Sequence, residues 1–358
     1  MSGVHLRPGV EDAPVWVLDD TGVEAAPAVA IAERLGVRFR RIPLVRNWMA
    51  HVAGLAPHGS LIGLAPRLRG GALPRNVLLP RGGAMAAGGN VAAPLAPARG
   101  SGGPHLAICA GPRAAAVGLW LKARFGCRLV QCLGPGIGGW LRAGAFGLLV
   151  LPEHDRPPGL PNVFPVYGTP HRLSPLALGQ AASAWAERLA HLPRPRVALL
   201  VGGRVRGSEL PPASAHALGR RVARMAARQH GSVLAATARR TGGEASDALA
   251  AGLGRAMHLL YRWGEPGEDP TLGFLATADM IVVTAESERV LAEACATGAP
   301  VFYALPELAG PRQRRMLDGL VRAGHVQPLR DTLAPFSRTP LDEAGRVARE
   351  VLRRFPID

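Results

Sequence analysis

Several short polar stretches in this sequence have residue types suited to chemistry, and each follows an apolar run. In the second half they are Gly202-Gly203, the Thr237-Ala238-Arg239-Arg240-Thr241 stretch, and Thr284-Ala285-Glu286-Ser287. In the first half they are Glu153-His154-Asp155 and, beyond the next run, His171. A diphosphate needs N–H donors and positive charge. Gly202 and Gly203 carry no Cβ, so their backbone can approach a ligand closely. Arg239 and Arg240 supply charge, and the hydroxyls of Thr237, Thr241, Thr284 and Ser287 supply hydrogen bonds. Together the three second-half turns could line one pocket. The plainer alternative is a tight glycine turn beside a solvated arginine pair. His154 or Asp155 could take the proton of an attacking hydroxyl. The plainer alternative there is a polar turn that caps a sheet, and the same holds for His171.

These turns must be positioned by strands and helices, and the pattern supplies both. Ile281–Thr284 is a β-branched run, the composition of a strand buried on both faces. Ser287–Thr297 places Val290, Leu291, Ala294 and Cys295 at one-turn spacing. Gly298 suits a left-handed helix end, Pro300 prevents continuation, and Val301–Leu305 is apolar again. This is a β–α–β unit whose turn falls at Ala285–Ser287. Glu286 and Glu288 sit at the helix N-terminus, where they suit its dipole but repel an anion; Arg289 partly offsets them.

That unit resembles the bacterial and plant mitochondrial fission "elongated mitochondria" family. The resemblance rests on a strand ending in Val-Val-Thr, an acid-Ser pair, an Ala-Glu-Ala-Cys-Ala-Thr-Gly stretch, and Pro-Val. It implies the two-domain architecture of the GT-B glycosyltransferases, with a nucleotide-diphosphate sugar held by the second domain and no resident cofactor or metal. It also implies that Glu293 holds the ribose; as a bare helix residue Glu293 would pair with Arg289. In the first domain it implies ligand-facing turns at Gly22 and at Gly111 and Arg113, on the acceptor side with His171. This chain has Val23 and Ala26 where the family has Asn and Gln after Gly22, and Cys109 and Pro112 depart from its Ser-Ala-Gly-Arg-Arg turn. The implied reaction is metal-independent transfer of the sugar to a cell-envelope or lipid-linked acceptor, with Asp155 or His154 as base. The other implied role is a non-catalytic adaptor at a membrane.

The rest of the chain fits such a frame. Strands are expected at Val15–Leu18, Val37–Leu44, Leu106–Cys109, Arg128–Leu133, Phe146–Leu151 and Asn162–Val166. Helices are expected at Glu24–Leu35, Asn47–Leu55 and Ala114–Phe125, with loops over residues 56–103. Pro175–Leu192 reads as a linker helix, broken at Pro193-Arg194-Pro195. The second half repeats the alternation from Val197–Val201 through a helix at Arg312–Ala323. This gives an α/β chain of two Rossmann-like domains facing each other across a cleft, with parallel sheets and helices on both faces. The expected domains are 1–174 and 195–338, joined by 175–194. A terminal helix within 339–358 packs back on the first.

Composition bounds the function class. A length of 358 residues suits two domains, and 48% hydrophobic residues suffice for two cores. The formal net charge is +16, yet all but one of the 42 basic residues are arginine and they are scattered. With aromatic residues at only 5%, no interleaved basic-aromatic motif forms, which argues against a nucleic-acid partner. Loose attraction to anionic lipid remains compatible with that charge. The N-terminus has no apolar core of a signal peptide. No apolar run reaches the ~18 residues of a membrane span. Cys109, Cys127, Cys132 and Cys295 show no ligand spacing and read as buried free thiols. The expectation is a cytoplasmic protein with at most a peripheral contact to the inner membrane.

Overall fold

The computed structural model describes residues 14–19, 26–44, 103–203 and 210–357. These residues form two compact units, each built on a six-stranded sheet. Every strand pair with a defined register is parallel. The expected class, α/β with two Rossmann-like halves, is the observed one.

The first unit runs β1 (Val15–Asp19), α1 (Ala26–Leu35), β2 (Phe39–Pro43), β3 (Leu106–Ala110), α2 (Gly111–Phe125), β4 (Arg128–Cys132), α3 (Gly136–Trp140), β5 (Leu148–Pro152) and β6 (Val163–Val166). Its strand order is β2-β1-β3-β4-β5-β6. β1, β3 and β5 are buried along their whole length, which is why they read as continuous apolar runs. One face is covered by α2, with Trp16, Leu18, Leu121, Leu129, Phe146 and Leu149 in the core. The expected Asn47–Leu55 helix and the Gly22 turn lie outside the described residues.

The second unit runs α4 (Pro175–Ala186), β7 (Arg196–Val201), α5 (Pro212–Arg228), β8 (Ser232–Thr237), α6 (Gly243–Leu253), β9 (His258–Tyr261), α7 (Thr271–Thr277), β10 (Met280–Thr284), α8 (Glu288–Cys295), β11 (Val301–Ala304), α9 (Pro311–Arg322) and β12 (Gln327–Pro328). The order β12-β11-β10-β7-β8-β9 is that of a doubly wound dinucleotide-type sheet. Alternate residues of β7 feed two cores. Ala198 and Leu200 pack with Trp185, Phe274, Leu291 and Leu320. Val197, Leu199 and Val201 pack with Leu218, Val222 and Leu249. The turn Pro152–Arg156, which follows β5, belongs to this unit, and so does everything from Val166 to Glu343.

One helix differs from expectation at its end. α4 stops at Ala186 rather than Leu192. Beyond it the carbonyls of Leu189 and Leu192 accept from the Arg196 guanidinium at 2.7 and 3.1 Å, which replaces continued helix. The final helix, α10 (Glu343–Arg354), belongs from Ala344 onwards to the first unit. There Phe355 fills the space beside Gly147, where a Cβ would stand 2.5 Å from its ring. Among the described residues no helix is long and apolar enough to cross a membrane.

Candidate functional site

In the second sheet β7 leads to β8 on one side, while β10 and β11 lie on the other. The carboxyl ends of β7 and β10 therefore flank the point where strand order reverses, the place where open parallel sheets hold ligands. Gly202-Gly203 follows β7 there and Thr284–Ser287 closes β10. The two turns touch: the Gly202 amide donates to Thr284 Oγ1 at 2.8 Å, and that hydroxyl donates to Glu286 Oε1 at 3.0 Å. Thr241, from the β8 turn, completes the knot. Its hydroxyl donates to Gly202 O at 2.6 Å and accepts from Ala238 N at 3.0 Å. Three stretches separated in sequence thus meet at one sheet edge.

What occupies this edge is protein. A Cβ on Gly202 would stand 1.9 Å from Glu286 Oε1, and one on Gly203 would stand 1.9 Å from the Arg240 carbonyl oxygen. The glycines are required for these close approaches, whatever else they do. Glu286 is 7% exposed, and its Oε2 has no hydrogen-bond partner among the described residues. Burial pushes its carboxyl above the ordinary carboxylate range. Backbone N–H groups of Glu286 and Gly203 and the Thr284 hydroxyl only partly oppose that.

The hydroxyls expected to contact a ligand have structural partners. Thr237 Oγ1 accepts from Trp263 N at 3.1 Å, and Thr241 is almost wholly buried. Arg239 and Arg240 are exposed beyond β8. They have no ion-pair partner among the described residues. Ser287 occupies the N-cap position of α8 and makes no side-chain capping bond. Glu293, 9% exposed, pairs with Arg289 at 2.9 Å one turn away. Burial nevertheless holds its carboxyl above the usual range.

The orientation of α8 is fixed from its other end by a residue that sequence patterning missed. Arg338 donates to the carbonyls of Ala294 at 3.0 Å, Cys295 at 2.8 Å, Thr297 at 2.7 Å and Ala299 at 2.9 Å. Ala294 and Cys295 close the helix and Thr297 and Ala299 follow it, and a cation there also suits the dipole.

The turn Pro152–Arg156 carries the acid-base candidates. Asp155 is held on both oxygens by Arg312, at 2.6 and 3.0 Å. The same guanidinium bonds Glu288, which also accepts from Gln313 Nε2 at 3.0 Å. Asp155 is therefore an anchor for Arg312 rather than a free proton acceptor. His154 is different. It is 6% exposed, and neither ring nitrogen has a hydrogen-bond partner among the described residues. Glu288 Oε2 is 3.6 Å and Asp155 Oδ1 3.9 Å from its Nε2. For Glu288, burial would raise the carboxyl, but His154 and Arg312 hold it below its ordinary value. His154 lines a cavity of about 500 Å³ with Arg156, Tyr167, Arg315, Asp318 and Arg322. Arg312 and Arg315 carry no local motif, and Arg312 lies 157 residues from Asp155, so only the fold brings them together.

The remaining sequence candidates follow other strands. His171 Nε2 lies 3.1 Å from the Ala292 carbonyl of α8. Gly111 opens α2 with φ +78°, and its carbonyl accepts from the buried Gln131 amide at 3.0 Å. Arg113 is half-buried on the first turn of that helix. Gly111 and Arg113 follow β3, beside β1, where the strand order of the first sheet reverses. Among the described residues no group of three His, Cys, Asp or Glu side chains is placed to hold a metal ion.

Comparison with known proteins places this geometry in context. The model of a family described as Mitochondrial fission ELM1 matches residues 24–355. The Mitochondrial fission protein ELM1 of Arabidopsis thaliana is 28% identical over 207 residues, 56% of this chain and 47% of that protein. The match thus spans about half the length of that curated relative. Among solved structures, MurG of Acinetobacter baumannii is 14% identical with a TM-score of 0.44, covering 95% of this chain and 90% of its own. The UDP-GlcNAc 2-epimerase of Methanocaldococcus jannaschii is 12% identical with a TM-score of 0.48, covering 95% and 99%.

Proposed function

The chain belongs to the Mitochondrial fission ELM1 family, and on that premise we propose that it binds a nucleotide sugar at the carboxyl edge of its second sheet. The carrying observation is the hydrogen-bonded convergence of the Gly202, Thr241 and Thr284 turns at the strand-order reversal. In this reading the diphosphate takes the exposed charge of Arg239 and Arg240 and the backbone amides beside them. Glu293 accepts from the ribose hydroxyls, a role its burial and raised carboxyl leave open. Binding displaces or protonates the Glu286 carboxyl, since an ionised one repels the diphosphate.

Turnover, in this reading, is sugar transfer. An acceptor hydroxyl oxygen bonds to the anomeric carbon as the carbon–oxygen bond to the diphosphate breaks. The diphosphate leaves with the electron pair, and the hydroxyl proton passes to His154. His154 suits this role better than Asp155, because its ring nitrogens are unengaged and a carboxylate stands beside it. The acceptor class is a cell-envelope or lipid-linked hydroxyl, met by a protein peripheral to an anionic membrane.

A second reading has its own observation. The Glu286 carboxyl fills the glycine turn, and Arg312 engages Asp155, as in a fold retained for docking rather than turnover. Titration calorimetry with UDP-, GDP-, ADP- and CMP-sugars separates the two. Heat with one of them, lost in Glu293→Gln, supports nucleotide binding. Absence of heat with all four removes it, and liposome binding indifferent to Glu293→Gln and Arg239→Gln then supports the adaptor.

A further inference from the structure

The cavity beside His154 has a chemistry of its own. A side chain as buried as His154 normally satisfies its polar atoms, yet neither nitrogen is bonded among the described residues. Three cations line the same space: Arg156, Arg315 and Arg322. None of the three forms an ion pair with a described carboxylate. Arg315 is already aimed, because its Nε donates to the His154 carbonyl at 2.8 Å. Its planar fork is then held with the terminal nitrogens left over, the geometry that recognises a phosphate through two bonds. Arg322 is steadied in the same way by the Asp318 carbonyl at 3.3 Å.

The acids in the wall narrow the ligand. Glu153 and Asp318 also line the cavity, and neither pairs with the arginines. Two carboxylates beside three guanidiniums disfavour a ligand that is anionic throughout. They suit one with a phosphate at one end and hydroxyl donors at the other. The volume of about 500 Å³ falls in the usual range of small-molecule sites.

We propose that this cavity binds the phosphate monoester of a polyol, with Arg315, Arg322 and Arg156 on the phosphate, His154 hydrogen-bonded to the ligand, and Asp318 and Glu153 on its hydroxyls. The chemistry is shared by a free sugar phosphate and by a phosphorylated polyol headgroup of a lipid. None of these residues belongs to the Gly202–Thr284–Glu286 cluster, so occupancy is decided separately from nucleotide binding. Only the further step, in which this polyol is the acceptor deprotonated by His154, rests on the nucleotide-sugar reading.

The experiment uses the full chain. Calorimetry with glucose 6-phosphate is compared with glucose, and sedimentation uses phosphatidylcholine vesicles with and without phosphatidylinositol 4-phosphate. Saturable binding of glucose 6-phosphate, but not glucose, that weakens about tenfold or more in Arg315→Gln and in the exposed Arg322→Gln supports a soluble ligand. Vesicle binding that needs the phosphorylated lipid and both arginines, without glucose 6-phosphate binding, supports the headgroup. Arg228→Gln, an exposed arginine of α5 outside the cavity, leaves either binding unchanged. Equal losses in Arg228→Gln, or saturable binding in neither arm, overturn the proposal. Glu293→Gln changes only nucleotide heat, so failure of one site is not read as failure of the other.

Discussion

Gly202 and Glu286 are fitted to each other so closely that a single methyl on the glycine would stand 1.9 Å from the carboxylate oxygen. The contact joins the ends of β7 and β10 and makes the centre of the second sheet's carboxyl edge a packed joint. Gly203 is fitted as closely, but to a backbone carbonyl of the neighbouring turn. A side chain can swing away, and a backbone carbonyl held in a hydrogen-bonded turn cannot. Gly202→Ala should therefore cost about 1–2 kcal/mol and Gly203→Ala about 2–3 kcal/mol. Urea denaturation of both variants measures the order; a costlier Gly202→Ala would refute it.

Glu286 should make stability fall as pH rises. Burial raises its folded-state pKa above the unfolded value of roughly 4.3. Between those two values the native state holds the extra proton, so stability declines as pH climbs through the folded pKa. Glu286→Gln removes that dependence. The expected result is a variant with a higher Tm than the parent at pH 7 and little difference at pH 4. A constant offset across that range would assign the effect to packing instead.

Arg312 acts with the opposite sign. The Arg312 hydrogen bond and the His154 ring 3.6 Å away together outweigh burial and depress the Glu288 carboxyl. That contribution is present above the unfolded value of roughly 4.3 and is lost as pH falls through the folded one. Because Arg312 is 40% exposed, solvent screening limits Arg312→Ala to about 1 kcal/mol near neutrality. Thermal melts from pH 7 down to pH 3 should show the variant and parent converging at the acid end.

Arg338 should matter more than a half-buried arginine in a loop usually does. Arg338→Ala removes the side-chain donor from four carbonyls at and just beyond the end of α8, of which those of Thr297 and Ala299 must find new partners while Ala294 and Cys295 keep backbone donors from Thr297 and Leu341. A loss of about 2–3 kcal/mol is expected from a charge-assisted bond set of this kind. Arg338→Lys should recover only part of it, since an ammonium cannot span the same acceptors. Full recovery by lysine in chemical denaturation would show that charge alone is needed.

The thiols offer a check on the interior. All four cysteines are free and buried. Burial pushes Cys127 up to about 11 and Cys132 and Cys295 up to about 12. Labelling with a thiol reagent at pH 8 should be slow for all four in the native protein and rapid in denaturant. A fast native site would locate an opening in the first or second core.

The sequence by itself determined the architecture. Runs such as Ile281–Thr284 and Val197–Val201 are buried on both faces, so they stay apolar without alternation and mark parallel strands wherever they occur. The glycine and hydroxyl turns were legible too, because a parallel sheet places the carboxyl ends of all its strands on one edge. What the sequence left open was which groups at that edge are already engaged. Thr241 and Thr237 looked like ligand hydroxyls and are backbone ties. Asp155 looked like a base and is gripped by Arg312 from 157 residues away. Periodicity reports the face a residue turns to its own neighbours. Ion pairs and close approaches between distant turns depend on how strands are ordered in the sheet, and only the folded chain decides that.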